Sequence, residues 1–410
     1  MQDVPQLSSS DEAVLLVSVL ALSLLLLAGV RERRRHAARA AAVPWRISVN
    51  GSRGKSTVTR LATGALAAGG FRPLGKTTGT EARLINGAAA AETPITRRAE
   101  GPNIGEQREV TRQAVALGAD AMVVECMAVT PEYQETFHVE LLAANVLIIT
   151  NVLADHIEEM GPTTADVAEV FATTVPREGL VVVAPGPYVP VFREAAQQRG
   201  AKLRVAAPDA VDPAVLERFS HVVFPEHVAL VLALCEELGI SERAALEGMW
   251  AAAPDPYATR LVAVGDPEDP ALFVNAFPAN DPTSTLGLWD DVVRRGYPAQ
   301  GAIVIMNCRA DRMARTRQFA EEVLPHLPIA TLVIAGAETQ AVRRAAQEGR
   351  IAAEEVLDHT GDDPEAVVDA LAPRLSGRVV LGVGNLHGGG RGIVAGLEAR
   401  ATQPLQGEAR

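Results

Sequence analysis

The stretch ISVNGSRGKSTVTRL, from Ile47 to Leu61, decides the fold. An apolar run ends at Val49, a glycine loop follows, and a helical pattern comes after the loop. This order is typical of the phosphate-binding unit of α/β nucleotide-binding domains, because bare glycine backbone and a helix N-terminus both attract anionic oxygens. Val49 stands where the full motif has its first glycine, so the sequence predicts a variant of that loop.

The loop and the first helical turn carry the groups that would bind a nucleoside triphosphate. Lys55 is expected to reach the outer phosphates, and the Ser56 hydroxyl is expected to face Mg²⁺. The alternative is a chance glycine turn with a solvated lysine, which would need neither the preceding strand nor the following helix. The pattern predicts ATP or GTP binding but does not define the reaction. The residues expected to bind the nucleotide here are Gly51, Ser52, Arg53, Gly54, Lys55, Ser56 and Thr57.

The overall composition is that of an intracellular globular protein. Of 410 residues, 48% are hydrophobic and only 21% are charged, which predicts two or three folded domains rather than a disordered chain. The net charge of -12 argues against general nucleic-acid binding, which needs clustered Lys and Arg. The cysteines Cys126, Cys235 and Cys308 lie far apart, so neither a disulfide framework nor a zinc site is indicated.

The first part of the chain differs from the rest. The run from Ala13 to Val30 is uncharged and would form a helix about 27 Å long, close to the thickness of a bilayer core. Acidic residues precede it, unlike in a secretory signal, and the basic residues Arg31, Arg33, Arg34, Arg35 and Arg39 follow it. The sequence therefore predicts a single-pass transmembrane helix with the remainder of the chain in the cytoplasm. A buried helix or an uncleaved targeting segment is the alternative.

Apolar runs alternate with helical patterns from Trp45 onward. The runs Ala121–Val124, Val146–Thr150 and Leu180–Val183 are continuous, as in strands buried on both faces of a parallel sheet. A second α/β block follows, so the sequence predicts an α/β fold with a phosphate-loop domain and a smaller C-terminal Rossmann-like domain. The predicted boundaries are a segment 1–30 with a transmembrane helix 13–30, a basic juxtamembrane linker 31–44, an ATP-binding central domain 45–262, the C-terminal domain 263–400 and a tail 401–410.

Polar residues follow two of the predicted buried strands. Glu125 ends one, and Asn151, Asp155 and His156 come after another. Ligands bind at the carboxyl ends of strands in open parallel sheets, so a carboxylate here is well placed to hold Mg²⁺ opposite the loop serine. Taken singly, Glu125 could be a solvated strand end, His156 a structural histidine, and Asp155 either its partner or a helix cap. Their shared position favours a functional site.

The sequence resembles the Mur-type amide ligases, which include folylpolyglutamate synthase. The resemblance rests on the glycine loop, the turn Lys76–Thr80, Glu125 and the stretch Asn151–His156. It covers nearly the whole chain and is closest to the ligase subunits of capsule-type poly-γ-glutamate synthases (CapB/PgsB type). The motifs that carry this narrower likeness are Gly101–Gln107, Glu125–Val129, Met306–Arg312 and Gly382–Gly388.

The resemblance implies a mechanism in which a carboxylate attacks the γ-phosphate of ATP. The products are an acyl phosphate and ADP, and a glutamate amine then displaces phosphate to form an amide. Lys55 would stabilise the transferring phosphoryl group, and His156 and Arg260 would join it as catalytic residues. Two Mg²⁺ ions are implied, with Ser56, Thr80, Glu125 and His156 as the candidate ligands.

Further roles are implied for residues nearer the C-terminus. Arg260 would contact phosphate, although a hinge salt bridge explains it equally well. Asn280 and Asp281 would contact the nucleotide, although both residues are also common in turns. Arginine pairs well with carboxylates, which suits recognition of glutamate or of the polymer. The candidate substrate-binding residues are Thr78, Arg309, Arg312, Asn385 and His387.

Two features depart from the wider ligase pattern. The segment from Thr163 to Glu178 contains no lysine, whereas many relatives carry a carbamylated lysine in that region. His227 stands near a helix start where relatives often have an asparagine close to the adenine. The ligand that bridges the metals and the contacts to the base are therefore left open.

The resemblance also implies partners, and two rival functions remain. The expected substrates are glutamate and the poly-γ-glutamate chain, the expected partners are other membrane subunits of a synthase or export complex, and a homo-oligomer is compatible with the sequence. A membrane-anchored regulatory nucleoside triphosphatase would explain the anchor and the loop, but not the strand-end residues. A ligase acting on a small acceptor would not need a membrane anchor.

Overall fold

The computed structural model describes residues 9–79, 82–97, 101–153, 157–255, 258–279, 281–298 and 300–404. These residues form two compact units. Unit 1 comprises the chain up to Val211 together with Phe224–Ala253, and unit 2 comprises Asp212–Val223 and the chain from Pro254 onward. Both units are α/β, as predicted.

Helix α1, Ser9–Ala41, is a single helix that is long and apolar enough to cross a membrane. Its apolar side chains between residues 14 and 30 are exposed. Residues 31–41, predicted to be a linker, continue the same helix, because alanine and arginine are strong helix formers. The helix ends shortly before Pro44, whose ring cannot continue a helix interior.

The sheet of unit 1 has eight strands in the order β4-β3-β2-β5-β1-β6-β7-β8. Six of these strands are parallel, in the order β2-β5-β1-β6-β7-β8, and β3 and β4 add an antiparallel edge next to β2. Residues 87–89 form a 3-10 turn that leads into β4. The strands are β1 Trp45–Asn50, β2 Pro73–Thr77, β3 Arg83–Asn86, β4 Ala91–Pro94, β5 Ala121–Glu125, β6 Val146–Ile149, β7 Leu180–Val183 and β8 Lys202–Val205.

Helices cover both faces of this sheet. Helix α2 connects β1 to β2, in one direction across the sheet. Helices α3 and α4 connect β4 to β5 and β5 to β6, in the opposite direction. Because crossover connections are right-handed, α2 lies on one face of the sheet and α3 and α4 lie on the other. Helices α9 and α10 pack on α2, whereas α1 packs on α3 and on the π turn Thr136–Leu141 that continues α4. The helices of unit 1 after α1 are α2 Lys55–Ala68, α3 Glu106–Ala116, α4 Pro131–Glu135, α5 Ile157–Met160, α6 Thr164–Ala172, α7 Val189–Arg199, α9 Pro225–Glu237 and α10 Glu242–Ala251.

Unit 2 contains a seven-stranded sheet in the order β13-β12-β11-β14-β10-β9-β15. Five of these strands, in the order β13-β12-β11-β14-β10, are parallel and Rossmann-like. Strand β9 is antiparallel to both of its neighbours, β10 and β15. The strands are β9 Leu261–Val264, β10 Ala271–Asn275, β11 Ala302–Cys308, β12 Ile329–Gly336, β13 Ala353–Thr360, β14 Val379–Gly384 and β15 Ala401–Pro404. The helices are α8 Pro213–Glu217, α11 Pro282–Arg294, α12 Met313–Glu322, α13 Gln340–Gln347, α14 Pro364–Leu371 and α15 Gly390–Glu398.

The last described residues of the chain extend the sheet of unit 2. Residues 401–404, expected in a tail, form β15 and pair with β9, which gives that strand a second hydrogen-bonded neighbour.

The connections between the parallel strands of unit 2 change direction across the sheet. From β11 the chain moves to β12 on one side, and from β14 it moves to β15 on the other, so a crevice is expected between the carboxyl ends of β11 and β14.

Candidate active site

The phosphate loop between β1 and α2 needs glycine at two positions. Gly51 has φ 123° and Gly54 has φ 81°, values that side chains with a Cβ rarely adopt. A Cβ on Gly51 would lie 2.2 Å from Thr150 Oγ1, and one on Gly54 would lie 2.3 Å from His227 Nε2. The loop therefore packs tightly against the residue after β6 and the start of α9, and it can do so only because Gly51 and Gly54 have no side chain.

Hydrogen bonds fix the loop to the chain that follows β6. The Arg53 N–H donates to Asn151 Oδ1 (2.9 Å), and the Thr150 hydroxyl donates to the Arg53 carbonyl (2.6 Å). The Ser52 hydroxyl donates to the Leu153 carbonyl (3.1 Å) and accepts from the Leu153 N–H (2.9 Å). The loop is thus held in one shape before any ligand binds, which lowers the cost of ordering it around phosphate.

Lys55 and the start of α2 form the positive end of the site. Lys55 Nζ donates to the carbonyls of Gly51 (2.6 Å) and Ser52 (3.0 Å), so the ammonium lies over the loop. Gly54, at the N-cap, contributes no capping side chain, and Thr57 is the third residue of the helix. The N-terminal end of α2 therefore presents its partial positive charge to an anion, and the residues present fit a phosphate group.

Ser56 and Glu125 meet opposite the loop. The Ser56 hydroxyl donates to Glu125 Oε2 (2.8 Å), and the Thr78 N–H donates to the same oxygen (2.6 Å). The Glu125 carboxylate is buried, with 4% of the residue exposed. A hydroxyl and a carboxylate at this spacing fit Mg²⁺, which uses few protein oxygens and completes its shell with phosphate and water.

The structure does not describe the other two predicted metal ligands. Thr80 and His156, together with Asp155, lie outside the described residues. Within the residues that are described, no group of three or more His, Cys, Asp and Glu side chains is arranged to hold a metal ion. The predicted pairing of Ser56 with Glu125 is thus the part of the metal site that the structure brings together.

Sequence reasoning missed the importance of Lys76. This lysine is fully buried, and its Nζ lies 3.5 Å from Glu106 Oε2 and 3.6 Å from Met127 Sδ. Arg97 Nε donates to the other oxygen of Glu106 (3.0 Å). Burial lowers the pKa of Lys76, while the carboxylates of Glu106 and Glu125 oppose that shift. The available signal was a lysine within a buried strand, which requires a carboxylate partner.

A second missed feature is a polar network beneath the loop. Asn50 accepts from the Gly51 N–H (2.9 Å) and donates to Gln134 Oε1 (2.8 Å). His138 Nδ1 lies 2.7 Å from the Gln134 carbonyl, and its Nε2 lies 2.8 Å from the Ser48 hydroxyl. Burial lowers the pKa of His138 to about 4, so the ring is neutral, with Nδ1–H donating to the carbonyl. The network connects the end of β1 to the π turn.

In unit 2, the crevice at the ends of the parallel strands holds a cavity of about 440 Å³. Asn307, fully buried at the end of β11, donates to the carbonyls of Asn385 (2.5 Å) and His387 (3.2 Å). Its Oδ1 has no hydrogen-bond donor among the described residues. Asn385 donates to the Asn307 carbonyl (3.2 Å) and accepts from Arg315 Nη1 (2.9 Å). Asn307 therefore forms the buried floor of the cavity, and Asn385 is hydrogen-bonded to it.

Charged residues surround this floor. Arg309 lines the cavity and donates to Asp311 Oδ2 (2.7 Å), and His387 is exposed. Desolvation lowers the pKa of His387, and Arg391 and Arg309 lower it further. Arg312 is exposed at the start of α12. The predicted substrate residues Arg309, Asn385 and His387 are thus brought together, with Arg312 at the helix that follows.

The remaining predicted residues lie elsewhere in unit 2. Arg260 lines a cavity of about 450 Å³ together with Glu398, and its carbonyl accepts from the Asn275 N–H (3.5 Å). Asp281 caps α11 by accepting from the Ser284 N–H (2.9 Å), which is the turn chemistry considered as its alternative. Asn280 lies outside the described residues.

The phosphate loop, the Ser–Glu pair and the following Rossmann-like unit define the Mur-type ligase fold. Escherichia coli FolC in complex with DHPP and ADP has a TM-score of 0.63 and 17% identity, covering 90% of this chain and 93% of that one. A bifunctional folylpolyglutamate synthase/dihydrofolate synthase with Mn, AMPPNP and L-glutamate bound has a TM-score of 0.61 and 15% identity, covering 89% of this chain and 93% of that one. MurF from Acinetobacter baumannii has a TM-score of 0.58 and 15% identity over 90% and 78%.

Sequence relatives narrow this class to one family. The model of the poly-gamma-glutamate synthase CapB C-terminal domain matches residues 261–400. The chain is 43% identical over 376 residues to PGA synthase CapB of Bacillus subtilis (strain 168), covering 92% of this chain and 96% of the relative. It is 44% identical over 370 residues to the capsule biosynthesis protein CapB of Bacillus anthracis, covering 90% and 80%. The chain belongs to the poly-gamma-glutamate synthase CapB family, which confirms the resemblance found in its motifs.

Proposed function

We propose that this chain is an ATP-dependent amide ligase that extends poly-γ-glutamate. The observation that carries the proposal is its likeness, over nearly its whole length, to a relative named PGA synthase. The closed phosphate loop and the contact between Ser56 and Glu125 supply the physical means for the ATP-dependent step.

In the first step, a terminal carboxylate oxygen of the polymer attacks the γ-phosphorus of ATP. The bond from that phosphorus to ADP breaks, and an acyl phosphate forms. Lys55 moves from the carbonyls of Gly51 and Ser52 to the transferring phosphoryl group, and the N-terminal end of α2 holds the neighbouring phosphates. Such positioned positive charge is the main contribution that a protein makes to phosphoryl transfer.

The metal would be held where oxygen ligands converge. Ser56 and Glu125 would bind one Mg²⁺ with Thr80, and His156 would bind a second ion. When bound, Mg²⁺ neutralises charge on the phosphate oxygens. The hydrogen bond from the Thr78 N–H orients Glu125 towards Ser56, and Lys76 balances the charge of the buried carboxylate from behind.

In the second step, the amine of glutamate attacks the acyl carbon. Phosphate leaves, the amine loses a proton, and a γ-amide forms. The cavity of unit 2 would hold the incoming glutamate, with Arg309 in its lining binding a carboxylate, and His387 and Asn385 would assist from the adjoining loop. Arg312 and Thr78 would assist in substrate binding, Arg260 would be catalytic, and Asn280 and Asp281 would contact the nucleotide.

The location follows from α1. The helix would cross the cell membrane once, and the arginines after its apolar part would keep both units in the cytoplasm. One short anchor contains no path for an exported polymer, so the chain would work with other membrane subunits, and it could form homo-oligomers. Recovery of the full-length protein in the soluble fraction without detergent would refute the anchor.

Trapping of the acyl phosphate tests the function directly. The full-length protein in detergent is incubated with ATP, Mg²⁺, oligo-γ-glutamate and hydroxylamine, and the hydroxamate is measured against ADP release. We expect hydroxamate that depends on both ATP and the oligomer. ADP release without hydroxamate would instead support a regulatory nucleoside triphosphatase, and hydroxamate from free glutamate alone would support a ligase for small acceptors.

A further inference from the structure

Helix α1 is joined to unit 1 by contacts as well as by the chain. Arg33 pairs with Glu140 at 3.1 Å, and His36 Nε2 lies 2.7 Å from the Leu141 carbonyl. His36 and Ala40 are buried, and the helix continues unbroken from its apolar part into this contact. The membrane-spanning part of α1 and unit 1 therefore share a rigid connection at the π turn.

This connection fixes how far the π turn lies from the apolar part of α1, measured along the axis of the helix. Val30 is the last residue of the apolar run, and Arg33, which pairs with Glu140, lies about 4.5 Å further along the helix at 1.5 Å per residue. The polar layer of a bilayer is about 5 to 8 Å thick on each side of the hydrocarbon core. The residues around Glu140 thus lie at the level of the lipid headgroups when α1 spans the membrane.

Exposed apolar side chains occur on these same elements. Outside α1, the large apolar side chains of unit 1 that are exposed among the described residues are Val115 and Leu117 at the end of α3, Tyr133 on α4 and Val139 on the π turn. Leu117 is 52% exposed and Val139 is 57% exposed. Helix α3 and the π turn are the elements on which α1 packs, and Val139 directly precedes Glu140, the partner of Arg33 on α1.

The charge around this surface also suits a membrane. The side chains of Arg31, Arg34 and Arg35 are exposed on the helical turns just beyond the apolar run. A lipid surface with anionic headgroups attracts such residues. Exposed apolar and basic groups on neighbouring elements are the combination with which helices lie in a membrane interface.

We propose that unit 1 rests on the bilayer through a lipid-facing surface formed by Leu117, Val115 and Val139, with anionic phospholipid headgroups as its partner. The inference rests on the proposed membrane anchor. The end of α3 precedes β5 and the π turn precedes β6, so this surface lies at the amino-terminal edge of those strands. The phosphate loop lies at the opposite end of β1, about 20 Å away at 3.3 Å per residue, and therefore faces away from the lipid.

Headgroup quenching tests the proposal in the full-length protein. Leu117→Cys and Val139→Cys are labelled with an environment-sensitive fluorophore, since Cys126, Cys235 and Cys308 are buried. The proteins are placed in nanodiscs of phosphatidylcholine and phosphatidylglycerol, with and without lipid that carries a nitroxide on its headgroup. We expect quenching of about twofold or more at both positions, because interfacial apolar residues enter the headgroup boundary.

Arg108→Cys is the matched control, because Arg108 is exposed on α3 about 13 Å before Leu117 along the helix. Its label should be quenched several-fold less. Equal quenching at all three positions, or no quenching at either Leu117 or Val139, would overturn the proposal. The measurement needs no ATP, so a failure of the ligase assay does not affect it. Protein that does not enter the nanodiscs would refute the anchor on which the proposal rests.

Discussion

Both units place polar groups at the carboxyl ends of parallel strands, but they build their sites from different materials. In unit 1, a rigid loop with Gly51 and Gly54 brings backbone, Lys55 and the N-terminal end of α2 to one point, and Glu125 is buried beside it. In unit 2, the cavity is lined by the neutral amide of Asn307, by Arg309 and by the carboxylates of Asp311, Asp362 and Asp363.

This difference indicates which ligand each site suits. A site of dense positive charge with a buried carboxylate for a cation matches a metal–triphosphate complex. A cavity that carries both an arginine and carboxylates matches a small zwitterion, in which an amine must be recognised together with carboxylates. Variants of unit 1 should therefore act on ATP-dependent steps, whereas variants of unit 2 should act on the use of glutamate.

The largest effect is expected from Lys55→Ala. Removing the ammonium takes away charge that stabilises the transferring phosphoryl group, so hydroxamate formation should fall by about three orders of magnitude or more. Folding should be unchanged, because Lys55 is at the start of α2 and contacts only loop carbonyls. Turnover is measured by the hydroxamate assay and folding by circular dichroism. Retained turnover would show that unit 1 does not use this lysine for phosphoryl transfer.

Gly54→Ala tests whether the closed loop itself is needed. The new Cβ would meet His227 Nε2 and would require a left-handed backbone, so the loop should open and the KM for ATP should rise by about tenfold to a hundredfold. Gly70→Ala is the matched control, because Gly70 has φ 89° with no atom within 4 Å of its Cβ position. Both variants should lose about 1 to 2 kcal/mol of stability from the backbone. An equal rise in KM for both would mean that loop closure is not the cause.

Local pattern was sufficient to predict the phosphate site. The strand, the loop and α2 follow one another in the chain, and Glu125 ends a continuous apolar run, so these features needed only neighbouring residues. The same holds for the α/β class, because buried parallel strands have a recognisable composition.

Features that depend on distant residues could not be predicted. The partner of Lys76 comes from α3, and the network of His138 joins residues from β1 and α4. Nothing near 401–404 indicates that this segment pairs with β9, more than a hundred positions earlier. In unit 2, Asn307 and Asn385 are hydrogen-bonded to each other across two strand ends, so only the tertiary fold reveals this pair.

Arg309→Ala tests unit 2 and should separate it from unit 1. Losing one charge-assisted hydrogen bond to a carboxylate costs about 1.5 to 3 kcal/mol, so the KM for glutamate should rise by about tenfold to a hundredfold. The KM for ATP should stay within about twofold if the two sites act separately, as for substitutions without shared contacts. Arg350→Ala, an exposed arginine paired with Glu348, is the control and should change neither value. A parallel rise in the KM for ATP would contradict the division between the units.

The smallest effect concerns the histidines of the two sites. Because burial lowers the pKa of His138 to about 4, the unfolded chain takes up a proton before the folded one as pH falls below about 6.5. Its contribution to the free energy of unfolding is therefore complete above pH 6.5 and is lost on acidification, by about 2 kcal/mol between pH 7 and pH 5. His138→Gln removes this pH-dependent contribution. The difference in the free energy of unfolding between wild type and variant, measured by urea denaturation, should therefore change by about 2 kcal/mol between pH 7 and pH 5. His387→Gln, at the exposed rim of unit 2, should show a clearly smaller shift, and an equal shift would mean that burial does not distinguish the two histidines.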